Sequence, residues 1–170
     1  MVEKLWLTPS RGKFNWQDMC NKIKNFIEED NNYDYLIAVG TDSQQHGKDR
    51  KMVSSITVHR VDKHDHDRGH GAQYYYTAEW ISYLKTLKQQ IMYEASLTYQ
   101  YKEELKESLQ ETFGTYGISV KPHSDIGEEG KTREFIRDVK AMFSGFGPEE
   151  DVEIKPYSYA ASCAANRHTK

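Results

Sequence analysis

Apolar and polar positions along this chain switch between two periods. Between Asn15 and Glu29, Met19, Ile23, Phe26 and Ile27 recur at helical spacing, and Asn15-Trp16-Gln17-Asp18 supplies a helix start. Asn31-Asn32 stops that helix. From Tyr35 to Ser43 apolar residues fall on both alternating faces, the pattern of a strand covered on both sides. A β-branched run from Met52 to Val61 predicts a second strand, and Ala72 to Thr77 a third, after a polar, glycine-containing turn over 62–71. Helical spacing then runs from about Ile81 to Phe113, too long for one mean helix, so a bend or break is expected. A strand at 118–125, a helix at 131–145, a strand at 152–157 and a short helix from about 158 complete the pattern. Residues 1–14 read as an extended entry. Pro122 conflicts with its strand, because proline cannot donate to a ladder.

Three consecutive strands followed by alternating helix and strand predict an α/β fold, a mixed sheet with helices on both faces. A length of 170 residues suits one domain, 1–170, with an N-terminal extension and helix over about 1–30. Composition is that of a soluble globular protein, with mean hydropathy −0.86 and no apolar run of membrane-spanning length. The first residues lack the apolar centre of a signal peptide, and Cys20 and Cys163 have no metal-type spacing. Free thiols, buried in a reducing cytoplasm, are therefore expected. Twelve tyrosines leave some for the surface, which permits a homodimer without requiring one. The net charge of −3 counts against avid nucleic-acid binding. It is offset locally by Lys121, Lys131, Arg133, Arg137 and Lys140, although Glu128, Glu129, Glu134 and Asp138 share that stretch.

Three carboxylates stand where a structural acid makes little sense. Asp42 ends the run Leu36 to Thr41, and Asp125 closes the run Ile118 to Ser124. Glu94 lies on the helical stripe Leu84, Leu87, Ile91, Thr98, Tyr101 and Leu105; Glu79 lies off it. A core-facing carboxylate is costly unless paired or bound to metal. Each also has an ordinary explanation: an Asx-turn for Asp42, a strand end for Asp125, a snorkelling or Arg-paired side chain for Glu94. Convergence favours one shared site for a hard divalent cation, Mg²⁺ or Mn²⁺.

With acids on the first strand, the first long helix and the fourth strand, the chain resembles the RNase H-like superfamily. Val39-Gly40-Thr41-Asp42-Ser43-Gln44, Arg68-Gly69-His70-Gly71 and Lys155-Pro156-Tyr157-Ser158-Tyr159-Ala160-Ala161-Ser162 resemble its bacterial YkuK-type branch. The resemblance implies a five-stranded mixed sheet in the order 3-2-1-4-5 with strand two antiparallel. It also implies that Asp42, Glu94 and Asp125 bind catalytic metal. The superfamily's fourth ligand is usually Asp on the last helix; here Ser158, Ser162 and Asn166 align at helical spacing. Asn166 is the nearest equivalent and His168 the second, and a neutral amide holds a cation less tightly than a carboxylate.

Three other signals are weaker. Residues 125–132 end like a phosphate-binding loop but begin with Asp where glycine is required. His59, His64, His66 and His70, interspersed with Asp62, Asp65 and Asp67, are better explained by a polar hairpin loop than by a transition metal. Tyr74-Tyr75-Tyr76 could stack bases, yet strand alternation puts at least one in the core. The reading is a metal-dependent nuclease acting on an RNA–DNA hybrid or structured nucleic acid. Lys155, Arg167 and His168 would face substrate, with His123 or His168 available for proton transfer. The alternative is a non-catalytic nucleic-acid-binding or scaffold protein of the same fold.

Overall fold

The structure is a computed structural model that describes residues 3–147 and 151–170. Two short strands, β1 (Trp6–Leu7) and β2 (Lys13–Phe14), precede α1 (Trp16–Glu28), whose first turn is capped by the Asn15 side chain accepting from Asp18 N–H. Three long antiparallel strands follow: β3 (Tyr33–His46), β4 (Asp49–Asp62) and β5 (Gly69–Ile81). Then come α2 (Leu87–Ser108), α3 (Gln110–Tyr116), β6 (Val120–Ser124) and α4 (Ile136–Phe146). A terminal helix closes the chain, π-helical over Ala160–Ala165 and 3-10 over Asn166–His168.

The sheet has six strands in the order β2-β1-β5-β4-β3-β6, with β6 parallel to β3 and all other neighbours antiparallel. Its four central strands have the expected order and directions. The expected count of five does not hold, and both edges explain why. At one edge the N-terminal entry folds into the β1–β2 ribbon, where Leu7 pairs with Tyr76. At the other, the segment expected as a strand over 152–157 makes only one bridge, His123 to Glu153.

That bridge also resolves Pro122. Glu153 N–H donates to the Pro122 carbonyl, and Ser124 N–H donates to the Glu153 carbonyl, both at 2.9 Å. In a parallel strand a residue's N–H and C=O point the same way, so the donor that proline lacks would face outward rather than toward β3. The long helical stretch is broken at Leu109, which leaves the helical region at φ −117°, ψ 24°. Residues 81–86 lie before its first turn, which is capped by Thr86 and Gln89 reciprocally.

The larger core fills the space between the sheet and α1 and α2, with Trp6, Met19, Ile23, Ile37, Val39, Ile56 and Leu105 fully buried. Tyr75 joins it, while Tyr74 and Tyr76 point to the opposite face. A second cluster, including Ile91, Ile126, Val139 and Phe143, joins α2 to α4. The terminal helix covers the other face of the sheet, and Gly40 is what lets it approach. A Cβ there would stand 2.4 Å from Ala161 N. Both thiols are free; Cys20 is buried as expected, but Cys163 is exposed. No helix among the described residues is long and apolar enough to cross a membrane.

Candidate acidic site

Side chains alternate along β3, so its two faces receive different residues. Val39, Thr41 and Ser43 face α2: Val39 is in the core with Leu97, and the Thr41 and Ser54 hydroxyls hydrogen-bond at 2.8 Å. Gly40 and Asp42 share the terminal-helix face. On the parallel neighbour β6, His123 is paired with Gly40, which places Asp125 just past the strand end beside Asp42. Two strand ends thus deliver two carboxylates to one rim. Glu94 comes from α2 on the opposite face and meets the same rim through Ser43, whose Oγ donates to Glu94 Oε1 at 2.6 Å. Gln90, one turn earlier, donates to the same oxygen at 3.0 Å. From Ile91 to Leu105 the stripe is buried as its spacing predicts, with Glu94 7% exposed within it, while Leu84 lies before α2 and Leu87 is half-buried. Glu79 is instead paired with Lys4 at 2.9 Å.

The three acids feel one another. Burial and the Asp125 charge raise the Asp42 carboxyl to about 7, against weaker opposing effects of the Ser43 N–H, Lys155 and Arg50. Burial and the Asp42 charge raise Glu94 to about 8, with Asp125 adding to the rise. Burial raises Asp125 as well, opposed by Lys155. Lys155 Nζ lies 2.9 Å from Asp125 Oδ1. Gly127 makes room for it, since a Cβ at 127 would touch the Lys155 stem at 3.1 Å.

Sequence reasoning missed three members of this site. Ser43 was visible only as part of a motif, and Gln90 could have been found as the residue one turn before Glu94. Arg50 gave no signal, as it sits among hairpin-loop charges; its Nη1 donates to Ser43 Oγ at 3.1 Å, while its Nε is buried without a partner. Lys155, expected to grip substrate, is engaged with Asp125 here. Asn166 and Arg167 are exposed on the 3-10 turn of the terminal helix. Their α-helical alignment with Ser158 and Ser162 does not hold, because wider π-helical turns change which residues share a face. His168 is stacked on Tyr76, ring centroids 3.7 Å apart, with Nε2 buried and unpartnered. His123 is structural: its Nδ1 accepts from Ala160 N–H, and burial followed by the His59 charge lowers it to about 4. The histidine-rich loop is a β4–β5 hairpin in which Asp62 Oδ1 accepts from the His64 and Asp65 N–H groups, as in an Asx-turn.

The donor chemistry suits a hard divalent ion: desolvated carboxylates that repel one another are what such an ion neutralises. Their spacing is more open. Among the described residues no three His, Cys, Asp or Glu side chains stand close enough to hold a metal. Glu94 is turned to Ser43 and Gln90, and Asp125 to Lys155.

A mixed sheet of this order, with acids on its first central strand, just past the end of its fourth and on the helix between them, is what the resemblance to the Ribonuclease H-like family implied. Residues 18–170 match that family, and the chain belongs to it. Over 98% of its length it is 25% identical to "Uncharacterized protein YkuK" of Bacillus subtilis (strain 168), covering 97% of that protein, in line with the YkuK-type resemblance. No solved structure matches the chain.

Proposed function

We propose that the protein is a divalent-metal-dependent nuclease that hydrolyses phosphodiesters in an RNA–DNA hybrid or another structured nucleic acid. The observation that carries this reading is the acidic rim itself. Asp42 and Glu94 are almost fully buried and are lifted to about 7 and about 8 by burial and mutual charge. A fold gains nothing from crowded, desolvated carboxylates unless a cation joins them.

Asp42, Glu94 and Asp125 would hold Mg²⁺ or Mn²⁺. When bound, such an ion supplies charge stabilisation at the scissile phosphate and a more acidic water. The chain's own residues do the rest. Ser43 and Gln90 fix the Glu94 carboxylate, and Arg50 fixes Ser43. Lys155 holds Asp125 at Oδ1, and its half-exposed side chain would stand beside the acids where a substrate phosphate would approach. Arg167 supplies a second exposed cation for the strand. The cytoplasm, where Mg²⁺ and nucleic acid meet, is the fitting compartment.

The second reading, a non-catalytic binding or scaffold protein, is favoured by one observation: Lys155 already compensates Asp125. Incubation with labelled single strands, duplexes, RNA–DNA hybrids and four-way junctions in Mn²⁺, Mg²⁺ or EDTA separates the two. Metal-dependent cleavage that disappears in an Asp42→Asn/Asp125→Asn variant supports the nuclease. Nucleic-acid binding without cleavage of any substrate supports the scaffold.

A further inference from the structure

Two strands from Asp42, on the same face of the sheet, an aromatic side chain is left open to solvent. Trp80 is 59% exposed. Its neighbours in register are Lys51 on β4 and, through Lys51, Gln44 on β3. Gln44 lies two residues beyond Asp42, so it points the same way. Contacts agree with that face: the His46 ring is 5.4 Å from the Trp80 ring, and His46 Nε2 donates to the Thr169 carbonyl at the end of the terminal helix. Two strand spacings across and two residues along put Trp80 about 12 Å from Asp42.

Cations gather around it, and one acid, Asp49, shares the face, in register with His46 and two residues before Lys51. Lys51 Nζ reaches the Lys170 carbonyl at 3.5 Å, and Arg167 is exposed nearby on the terminal segment. Glu79, next to Trp80 in sequence, points to the other face and is taken by Lys4. The chain as a whole is negative, at −3, which makes a local positive rim around an open indole selective for an anion with a planar group.

From this we infer that Trp80 and its rim of Lys51, Arg167 and Lys170 form a subsite for an unpaired nucleotide, the base stacking on the indole and the phosphates meeting the cations. The inference rests on the proposed function and narrows its substrate: a strand with an unpaired segment a few nucleotides from the phosphate at the acidic rim. Base–aromatic stacking is tolerant of sequence, so any base is accepted. A second copy of this chain fits less well, because a two-fold contact would oppose like charges.

Trp6 is buried and Trp16 is packed against it, so a stacked base would quench chiefly Trp80. The experiment titrates short oligothymidylate, and a duplex of the same length, into the full chain in EDTA and follows tryptophan emission and oligonucleotide anisotropy. The expected result is saturable quenching by the single strand. Trp80→Ala should bind that strand about tenfold more weakly, and Trp80→Phe should fall between. Circular dichroism of both variants checks the fold. Equal binding by wild type and Trp80→Ala would overturn the subsite and leave the nucleic-acid reading standing. Binding of no nucleic acid by the wild type would overturn both. Self-association of the wild type that Trp80→Ala abolishes, with oligonucleotide binding unchanged, would make this a protein interface and overturn the inference.

Discussion

Asp42 sits on the face of β3 that the terminal helix covers, and its carboxyl titrates near 7 rather than at its ordinary 3.8. Glu94 titrates near 8 rather than at 4.5. In the unfolded chain both ionise at their ordinary values, so between about pH 4 and pH 8 the unfolded state loses these protons before the folded state does. Stability from this pair is therefore full below about pH 4 and declines as pH rises to the folded values. In EDTA, the melting temperature of the wild type should fall across that window. Asp42→Asn removes one of the two charges and should flatten the fall, making the variant the more stable protein at about pH 8 and no more stable at about pH 4. Thermal melts across the pH range check this, and an equally steep fall in the variant would contradict it. Lys155→Met keeps the stem against Gly127 and removes the ammonium from Asp125. It should raise the Asp125 titration further, which carboxyl-labelled NMR would read directly.

Among the elements, the terminal helix depends on one missing side chain. Gly40→Ala drives a Cβ against the Ala160–Ala161 backbone, which cannot move without lifting the helix from β3 and β4. A loss of about 1–3 kcal/mol in urea unfolding is expected. Gly114, inside α3 with nothing near its missing Cβ, gives the contrast: Gly114→Ala should gain about 0.5–1 kcal/mol. Elements with strong internal periodicity were legible in the sequence. The stripe that carries Glu94 and the two-sided apolar run before Asp42 both emerged where the pattern put them. What escaped was set by tertiary contacts. The entry residues of β1 and β2 pair only because β5 offers an edge, and 152–157 stays a single bridge because only Glu153 is held by β6. The alanine-rich end, packed close over Gly40, is π-helical, so the alignment that nominated Asn166 assumed the wrong helix.

At the scale of the whole molecule, the sheet brings carboxylates from three separated segments to one rim, and flanks them with cations from two more. Lys155 and Arg50 partly compensate charges that the fold otherwise concentrates, without matching them. Under the proposed function, a divalent ion fills the remaining deficit. An ion that binds only the folded chain stabilises it by mass action, and more so as the carboxyls lose their protons. The most direct measurement is the melting temperature at about pH 8 with and without saturating Mn²⁺, for the wild type and for Asp42→Asn. A rise of about 5 °C or more is expected in the wild type, smaller at about pH 5, and little or none in the variant. A flat response in the wild type, or an equal rise in both proteins, would contradict it.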